Sequence, residues 1–302
     1  MQTWHVRKMK LSGEGWIPPM AVHDYAYPQP WAVSPTLEPA LNQLGLLPNA
    51  DQLRDEGYTI VHDAYDPALC AAIRADVLAA ARAEKGHYFD IKPGEGISAY
   101  HLLGKSDHFA QALLNPKLLA LAEYLCGGDF LLSQLAASVR FEGATAMGLH
   151  IDSQWIPPTP YNPMFTACLA LDDLSEEAGT TLVIPESHTL MCNPGPEEDQ
   201  ARAQAVPMAC KVGGFAIWTG YAWHANYPRT LPGERVMLHM TFCRLAYRPV
   251  EDYSHLGDDF LAKWPPVMAT MLGRDAWMGL AGRNGGACDM RHYSRMWDAA
   301  RR

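Results

Sequence analysis

A histidine and an aspartate that lie two residues apart are the first side chains in this sequence that could do chemistry. His150 and Asp152 belong to the strand-like run Gly-Leu-His-Ile-Asp. Alternate residues of a strand point to the same face, so an imidazole and a carboxylate are predicted to converge. The pair alone is weak evidence, because a chain with 12 histidines can contain a surface histidine beside a turn aspartate by chance.

A second segment, residues 211–242, supplies another histidine and an arginine. His224 follows a strand-like run that starts after two glycines, and Arg235 begins the next run. Two histidines and one carboxylate cover one face of octahedral, non-haem iron(II) and leave the opposite face for a bidentate 2-oxo acid and O₂. The sequence therefore predicts His150, Asp152 and His224 as the metal ligands. Arg235 is predicted to bind the far carboxylate of 2-oxoglutarate, which needs a planar, permanently charged partner.

Composition and charge limit the possible partners. With 48% hydrophobic and 19% charged residues, the 302-residue chain is typical of a globular protein. A net charge of −9 argues against nucleic acid or an anionic membrane as the main partner. The sequence has neither a leader-like apolar region nor a run of about 18 apolar residues, so we expect a cytoplasmic protein. The seven cysteines are odd in number and form no Cys-x-x-Cys pair, which disfavours a disulfide framework.

The first half of the chain is predicted to be mainly helical. Residues 1–50 are rich in proline, tryptophan and tyrosine, and we expect an irregular arm packed on the domain. A short helix and a strand at residues 58–61 follow. Asp66 is then predicted to cap an amphipathic helix that starts with a proline, and another helix is predicted over residues 116–126.

The second half has the pattern of a β-protein. Short strand-like runs separated by turn residues fill residues 130–250, and their spacing predicts a sandwich or barrel. Residues 251–302 contain two helix-like segments and are predicted to form a helical cover. No boundary between domains is evident.

Four segments in a fixed order carry a resemblance to a known family. They are DEGYTIVHDAYDPALCAAIRADV, LHIDSQW, CLALDDLSEEAGTTLVIPESH and the block from His224 to Arg235. In this order they resemble the phytanoyl-CoA dioxygenase family of iron(II)- and 2-oxoglutarate-dependent oxygenases. The resemblance implies a mainly β fold with flanking helices around a double-stranded β-helix (jelly-roll, cupin-like) core, in a single domain over residues 1–302. It also implies the same four site residues, and hydroxylation of a small metabolite with release of succinate and CO₂.

Residues around the predicted site extend the resemblance or depart from it. Asn226 stands where the family often has a serine that helps to hold 2-oxoglutarate, and an amide can still donate a hydrogen bond. Similar spacing in the strand before the metal motif points to Gln134 as a cosubstrate ligand, with Ser138 and the substrate residue Arg140 further along. Trp155 is predicted to form an aromatic wall of the substrate pocket, with plain core packing as the alternative.

Two other functions fit parts of the same pattern. Two histidines and an aspartate also suit catalytic zinc in a hydrolase, which leaves Arg235 without a role. A metal-binding sensor or binding protein could use the same scaffold without catalysis. Among oxygenase outcomes, the resemblance implies that the carboxylate of Asp152 disfavours halogenation, so hydroxylation is expected before desaturation, epoxidation or cyclisation. His188 and His239 are interpreted as packed or hydrogen-bonded residues and not as metal ligands.

Overall fold

Two antiparallel β-sheets form the core of the protein and line a common cavity. The computed structural model describes residues 31–84, 94–196 and 198–274. Within these residues, one sheet has six strands and the other has three. The strands are β1 (Tyr58–Val61), β2 (Gly96–Ala99), β3 (Leu131–Phe141), β4 (Met164–Ala170), β5 (Thr181–Val183), β6 (Val206–Pro207), β7 (Phe215–Thr219), β8 (His224–Asn226) and β9 (Glu234–Cys243).

Strands from distant parts of the chain are neighbours in both sheets. The large sheet has the order β1-β7-β4-β9-β3-β2, and the small sheet has the order β6-β5-β8. Neighbouring strands run antiparallel. The chain passes from one sheet to the other between β4 and β5, between β6 and β7, between β7 and β8, and between β8 and β9. The predicted fold class is confirmed: the protein is mainly β with flanking helices around a jelly-roll core.

The pairing of β3 with β9 contains a bulge that decides which side chains reach the cavity. Leu132 pairs with Phe242, whereas Gln134 pairs with Thr241, so Ser133 is an extra residue in β3. An extra residue exchanges the two faces of the strand beyond it. Leu132 therefore belongs to the hydrophobic core, while Gln134 lines the cavity.

Helices pack against the large sheet. Asp66 caps α3 as predicted, because its Oδ1 accepts a hydrogen bond of 2.8 Å from the backbone N–H of Ala68. The predicted helix over residues 116–126 is also confirmed, and it ends at Gly127, whose φ is 88°. The helices are α1 (Glu38–Gln43), α2 (Leu47–Glu56), α3 (Pro67–Glu84), α4 (Asp107–Leu113), α5 (Pro116–Cys126), α6 (Glu198–Arg202), α7 (Asp258–Leu261) and α8 (Pro266–Met271).

The main hydrophobic core lies between the helices and the large sheet. Phe165 of β4 and Phe242 of β9 stack with their ring centroids 5.2 Å apart. Phe109 of α4 and Leu121 of α5 are fully buried in the same cluster. Because such an interior is close-packed, it holds the strands in place and thereby fixes the positions of the polar side chains on their other face.

The ends of the chain differ in part from the predictions. The prediction of an irregular arm is wrong for residues 38–43 and 47–50, where Pro39 and Pro48 stand in the first turns of α1 and α2 and interrupt no helical hydrogen bond. The core strands also start before residue 130, because β1 and β2 join the large sheet. The predicted helical cover contains α7 and α8, while residues 1–30 and 275–302 lie outside the described residues. None of the helices in the described ranges is long and apolar enough to span a membrane.

Candidate metal centre

His150, Asp152 and His224 meet in the cavity between the sheets. His224 begins β8, and its backbone exchanges two hydrogen bonds of 3.0 Å with the backbone of His150. Asp152 is the first of four consecutive turn residues, and a hydrogen bond of 2.8 Å from the N–H of Ile156 to the C=O of Ser153 closes the turn that directly follows it. The predicted extended run is therefore wrong beyond His150, although the convergence it predicted is present. One ligand atom from each of the three residues lies within 4.8 Å of the others.

The backbone fixes the direction in which both histidine rings point. Nδ1 of His150 lies 3.0 Å from the carbonyl oxygen of Gly148, and Nδ1 of His224 lies 3.0 Å from that of Ala222. A carbonyl oxygen only accepts hydrogen bonds, so each ring carries a proton on Nδ1. The Nε2 lone pair of each neutral ring is then available to a metal ion.

One carboxylate oxygen of Asp152 is held by two hydrogen bonds. Oγ1 of Thr166 and Nε1 of Trp218 donate to its Oδ2 over 2.9 and 3.0 Å. Its Oδ1 lies 3.5 Å from Nε2 of His224. Burial alone would raise the pKa of Asp152, but His224, His150 and the hydrogen bond from Thr166 hold that pKa well below its ordinary value. The carboxylate is therefore ionised at neutral pH, as a metal ligand must be.

Arg235 is buried in the wall of the same cavity. It is 1% exposed, and it donates from Nη2 to the carbonyl oxygen of Gly179 (3.0 Å) and from Nη1 to Oγ of Ser138 (3.3 Å). Burial lowers the pKa of Arg235 to about 9, and the charges of Arg140 and Arg229 act in the same direction. Its Nε has no hydrogen-bond partner among the described residues. A buried N–H without an acceptor is unfavourable, and a bound carboxylate would supply both the acceptor and the opposite charge.

The cavity also contains the other polar residues that the sequence singled out. Its volume is about 170 Å³. Gln134, Arg140 and Asn226 line it together with the metal-ligand set, which consists of His150, Asp152 and His224. Nδ2 of Asn226 donates to the carbonyl oxygen of Tyr227 (2.7 Å), while its Oδ1 lies 3.4 Å from Nη2 of Arg140. One amide hydrogen of Asn226 is thus used by the backbone, and its oxygen contacts the second arginine of the cavity.

Trp155 does not reach this cavity. Its side chain is 62% exposed, and it borders a separate surface cavity with Ile156 and Val250. The turn residues around Asp152 direct the chain outward, so the core-packing interpretation of Trp155 is wrong. Its role in a substrate pocket stays a prediction.

The other two histidines have the structural contacts that were expected of them. Nε2 of His188 lies 3.1 Å from the carbonyl oxygen of Arg54, away from the metal-ligand set. His239 lines the cavity, and its Nε2 lies 3.0 Å from Oγ of Ser138. Neither belongs to the group of residues that could hold a metal ion.

Thr166 and Trp218 were not assigned to the metal centre from the sequence. They are paired residues on the neighbouring strands β4 and β7, and both donate to Asp152. The signal for Thr166 was a polar residue inside the apolar run FTACLAL. Such a residue needs a buried partner, but the sequence does not say which one.

A comparison with known families identifies the protein's relatives. Residues 53–236, more than half of the 302-residue chain, match the sequence model of the phytanoyl-CoA dioxygenase family. The chain belongs to this family. The matched range contains the His-Asp-His set and Arg235, and the predicted family membership is confirmed.

Curated relatives of this family member are distant. Dioxygenase af480 of Aspergillus fumigatus is 26% identical over 161 residues, which cover 52% of this chain and 52% of that protein. The match therefore spans about half the length of that relative. An uncharacterized protein of Mycobacterium tuberculosis is 26% identical over 251 residues, which cover 74% of this chain and 85% of the relative.

Solved structures share the fold. The non-heme alpha ketoglutarate dependent epimerase SnoN from nogalamycin biosynthesis has a TM-score of 0.54 at 23% identity, over 73% of this chain and 90% of SnoN. The carbocyclase SnoK from the same biosynthesis has a TM-score of 0.57 at 17% identity, over 72% and 89% of the two chains. HygX from Streptomyces hygroscopicus, solved with nickel and 2-oxoglutarate, has a TM-score of 0.53 at 14% identity, over 70% and 92%.

Proposed function

We propose that this protein is an iron(II)- and 2-oxoglutarate-dependent oxygenase that hydroxylates a C–H bond of a small molecule. The observation that carries this proposal is that a convergent metal-ligand set and a buried arginine line the same cavity. A metal site alone is compatible with other functions, such as a zinc hydrolase or a metal-binding protein without catalysis. The unused Nε–H of Arg235 adds a partner for a carboxylate, which is what a dicarboxylic cosubstrate bound to the metal would need.

The donor set suits iron(II). The Nε2 atoms of His150 and His224, with a carboxylate oxygen of Asp152, form a 2-His-1-carboxylate set that leaves coordination positions open. Bound there, iron(II) would supply the chemistry by which O₂ oxidises 2-oxoglutarate to succinate and CO₂ and hydroxylates a C–H bond.

The residues of the protein orient the reactants. Thr166 and Trp218 bind one oxygen of Asp152 and leave the other on the side of the histidines. The Trp218 ring also packs against the ring of His224, with the centroids 4.9 Å apart. Arg235 would bind the far carboxylate of 2-oxoglutarate through a bidentate, charge-assisted pair, which fixes the cosubstrate relative to the metal. In this proposal Gln134 and Asn226 are further cosubstrate residues.

The structural relatives support the choice of cosubstrate and widen the choice of reaction. SnoN was crystallised with Fe³⁺, alpha ketoglutarate and nogalamycin RO, and HygX with nickel and 2-oxoglutarate. We infer the same kinds of ligand here because this chain shares the fold and has its own set of residues that could hold a metal ion. SnoN is an epimerase and SnoK a carbocyclase, so ring closure or epimerisation at the same site is the second candidate outcome.

We also infer that the chain acts as a single domain. Leu41 of α1, Leu53 of α2 and Met268 of α8 belong to the same hydrophobic cluster as the strands of the large sheet. The helices at both ends of the described range therefore share a core with the strands that carry the site.

The proposal is tested by anaerobic titration of iron(II) and 2-oxoglutarate into the metal-free protein. We expect a weak visible charge-transfer band in the wild type and its loss in Arg235→Met. Arg82→Met, on the exposed surface of α3, is the matched control and should keep the band. Succinate release under O₂ then separates an oxygenase from a zinc hydrolase or a binding protein. Folded, iron-loaded protein without a band would overturn the proposal.

A further inference from the structure

Arg235 is linked through a serine to a histidine that has no part in the metal-ligand set. Oγ of Ser138 lies 3.3 Å from Nη1 of Arg235 and 3.0 Å from Nε2 of His239. All three residues line the cavity. In the register of β3 and β9, Ser138 stands opposite Met237, so it lies midway between Arg235 and His239 along the neighbouring strand.

The chemistry of these groups sets the direction of both hydrogen bonds. A guanidinium only donates, so Ser138 accepts from Arg235. The field of the cation turns the serine O–H away from itself, toward Nε2 of His239. Nε2 then accepts, and the neutral ring carries its proton on Nδ1. Burial and the charge of Arg235 lower the pKa of His239 to about 4, which agrees with a ring that stays neutral and accepts from Ser138.

We infer that Ser138 and His239 are positioning residues that hold the guanidinium of Arg235 in place for the far carboxylate of 2-oxoglutarate. This inference rests on the function proposed above. Gly179 and Ser138 are the two protein groups that the guanidinium contacts through hydrogen bonds among the described residues. Without the serine, one side of the guanidinium is free to turn. Without the histidine, the serine hydroxyl loses its acceptor and can turn its own hydrogen toward the cavity.

The test compares two ligands that differ only at the far carboxylate. 2-Oxovalerate has the carbon chain of 2-oxoglutarate but lacks that group. Calorimetric titration of both into nickel(II)-loaded protein gives the ratio of their dissociation constants without any turnover. A residue that acts through Arg235 changes this ratio, whereas a purely structural defect weakens both ligands to a similar extent.

Variants of Ser138 and His239 measure how much each residue contributes to the preference for 2-oxoglutarate. We expect His239→Leu to reduce the preference for 2-oxoglutarate roughly fivefold to tenfold, about the effect of one hydrogen bond. His239→Gln keeps a side-chain acceptor and should remain near the wild type. Ser138→Ala should reproduce the loss, and the double variant with His239→Leu should lose no more than Ser138→Ala alone, because the two residues act in series. Leu238→Met, in the same strand but buried in the hydrophobic core on the other face, is the matched control and should keep the wild-type ratio.

The possible results distinguish failure of the proposed function from failure of the positioning role of Ser138 and His239. Equal binding of both ligands to the wild type would overturn the proposed function itself. A strong wild-type preference that persists in His239→Leu and Ser138→Ala would overturn only the positioning role. Additive losses in the double variant would also overturn it, because residues acting independently do not form a series.

Discussion

Thr166 allows a perturbation of the metal centre that leaves all three ligands in place. Thr166→Val replaces a hydroxyl by a methyl group and removes the 2.9 Å hydrogen bond to Oδ2 of Asp152. A hydrogen bond to a charged group contributes about 1.5–3 kcal/mol, which corresponds to roughly 10-fold to 100-fold in an equilibrium constant. Trp218 keeps its own bond to the same oxygen, so we expect metal affinity to fall by about 10-fold, the lower end of the range for residues that orient metal ligands.

The assay is anaerobic competition for iron(II) between the protein and a chromophoric chelator. Thr219→Val in β7 is the matched control, because Thr219 is 1% exposed and its hydroxyl has no hydrogen-bond partner among the described residues. The control should bind iron(II) as the wild type does. A correctly folded Thr166→Val protein with metal affinity within about twofold of the wild type would refute the reasoning, because a change that small is typical of substitutions remote from any such contact.

Two further predictions concern stability. A Cβ at Gly57, whose φ is +82°, would lie 2.5 Å from Nδ1 of His188, so Gly57→Ala should lower the free energy of unfolding by about 1–3 kcal/mol. Chemical denaturation measures this loss, and it should exceed that of Gly45→Ala, where φ is +70° but nothing lies within 4 Å. Burial alone would lower the pKa of His224, but Asp152 raises it above the ordinary 6.5, so metal-free protein should lose stability as the pH rises from below 6.5 through the raised pKa. Thermal melting in a chelator checks this, and the dependence should be absent in Asp152→Asn.

The metal-ligand set could be predicted from the sequence because its residue types are specific and their order is fixed. The structural reasoning behind this prediction was only partly correct. A strand was expected to bring Asp152 beside His150, whereas a turn does so. That turn depends on a backbone hydrogen bond of 2.9 Å from Ser153 to Gly220, a residue far along the chain, which no local pattern contains.

The residues that orient the ligands were harder to predict for a related reason. Thr166 and Trp218 act on the same carboxylate because β4 and β7 pair in one register. Register between distant strands is fixed by burial of whole faces, so a single side chain gives little sign of its partner. The core-packing interpretation of Trp155 failed because the turn residues after Asp152 direct toward solvent a side chain that is close to a metal ligand only in sequence.

The extra residue in β3 also restricts how this wall of the cavity can change. Ser133 accepts hydrogen bonds from the backbone of Val250 and Glu251, so the bulge is tied to the segment that leads to the C-terminal helices. Loss of that one residue would remove the exchange of faces, so that either Gln134 and Arg140 would turn toward the core or Leu132 would leave it. Insertion or deletion of a residue at this position of β3 would thus change which side chains line the cavity, whereas a surface loop can gain or lose a residue without such a change. The chemistry of this wall can therefore be altered with least disturbance by exchanging its side chains at constant strand length.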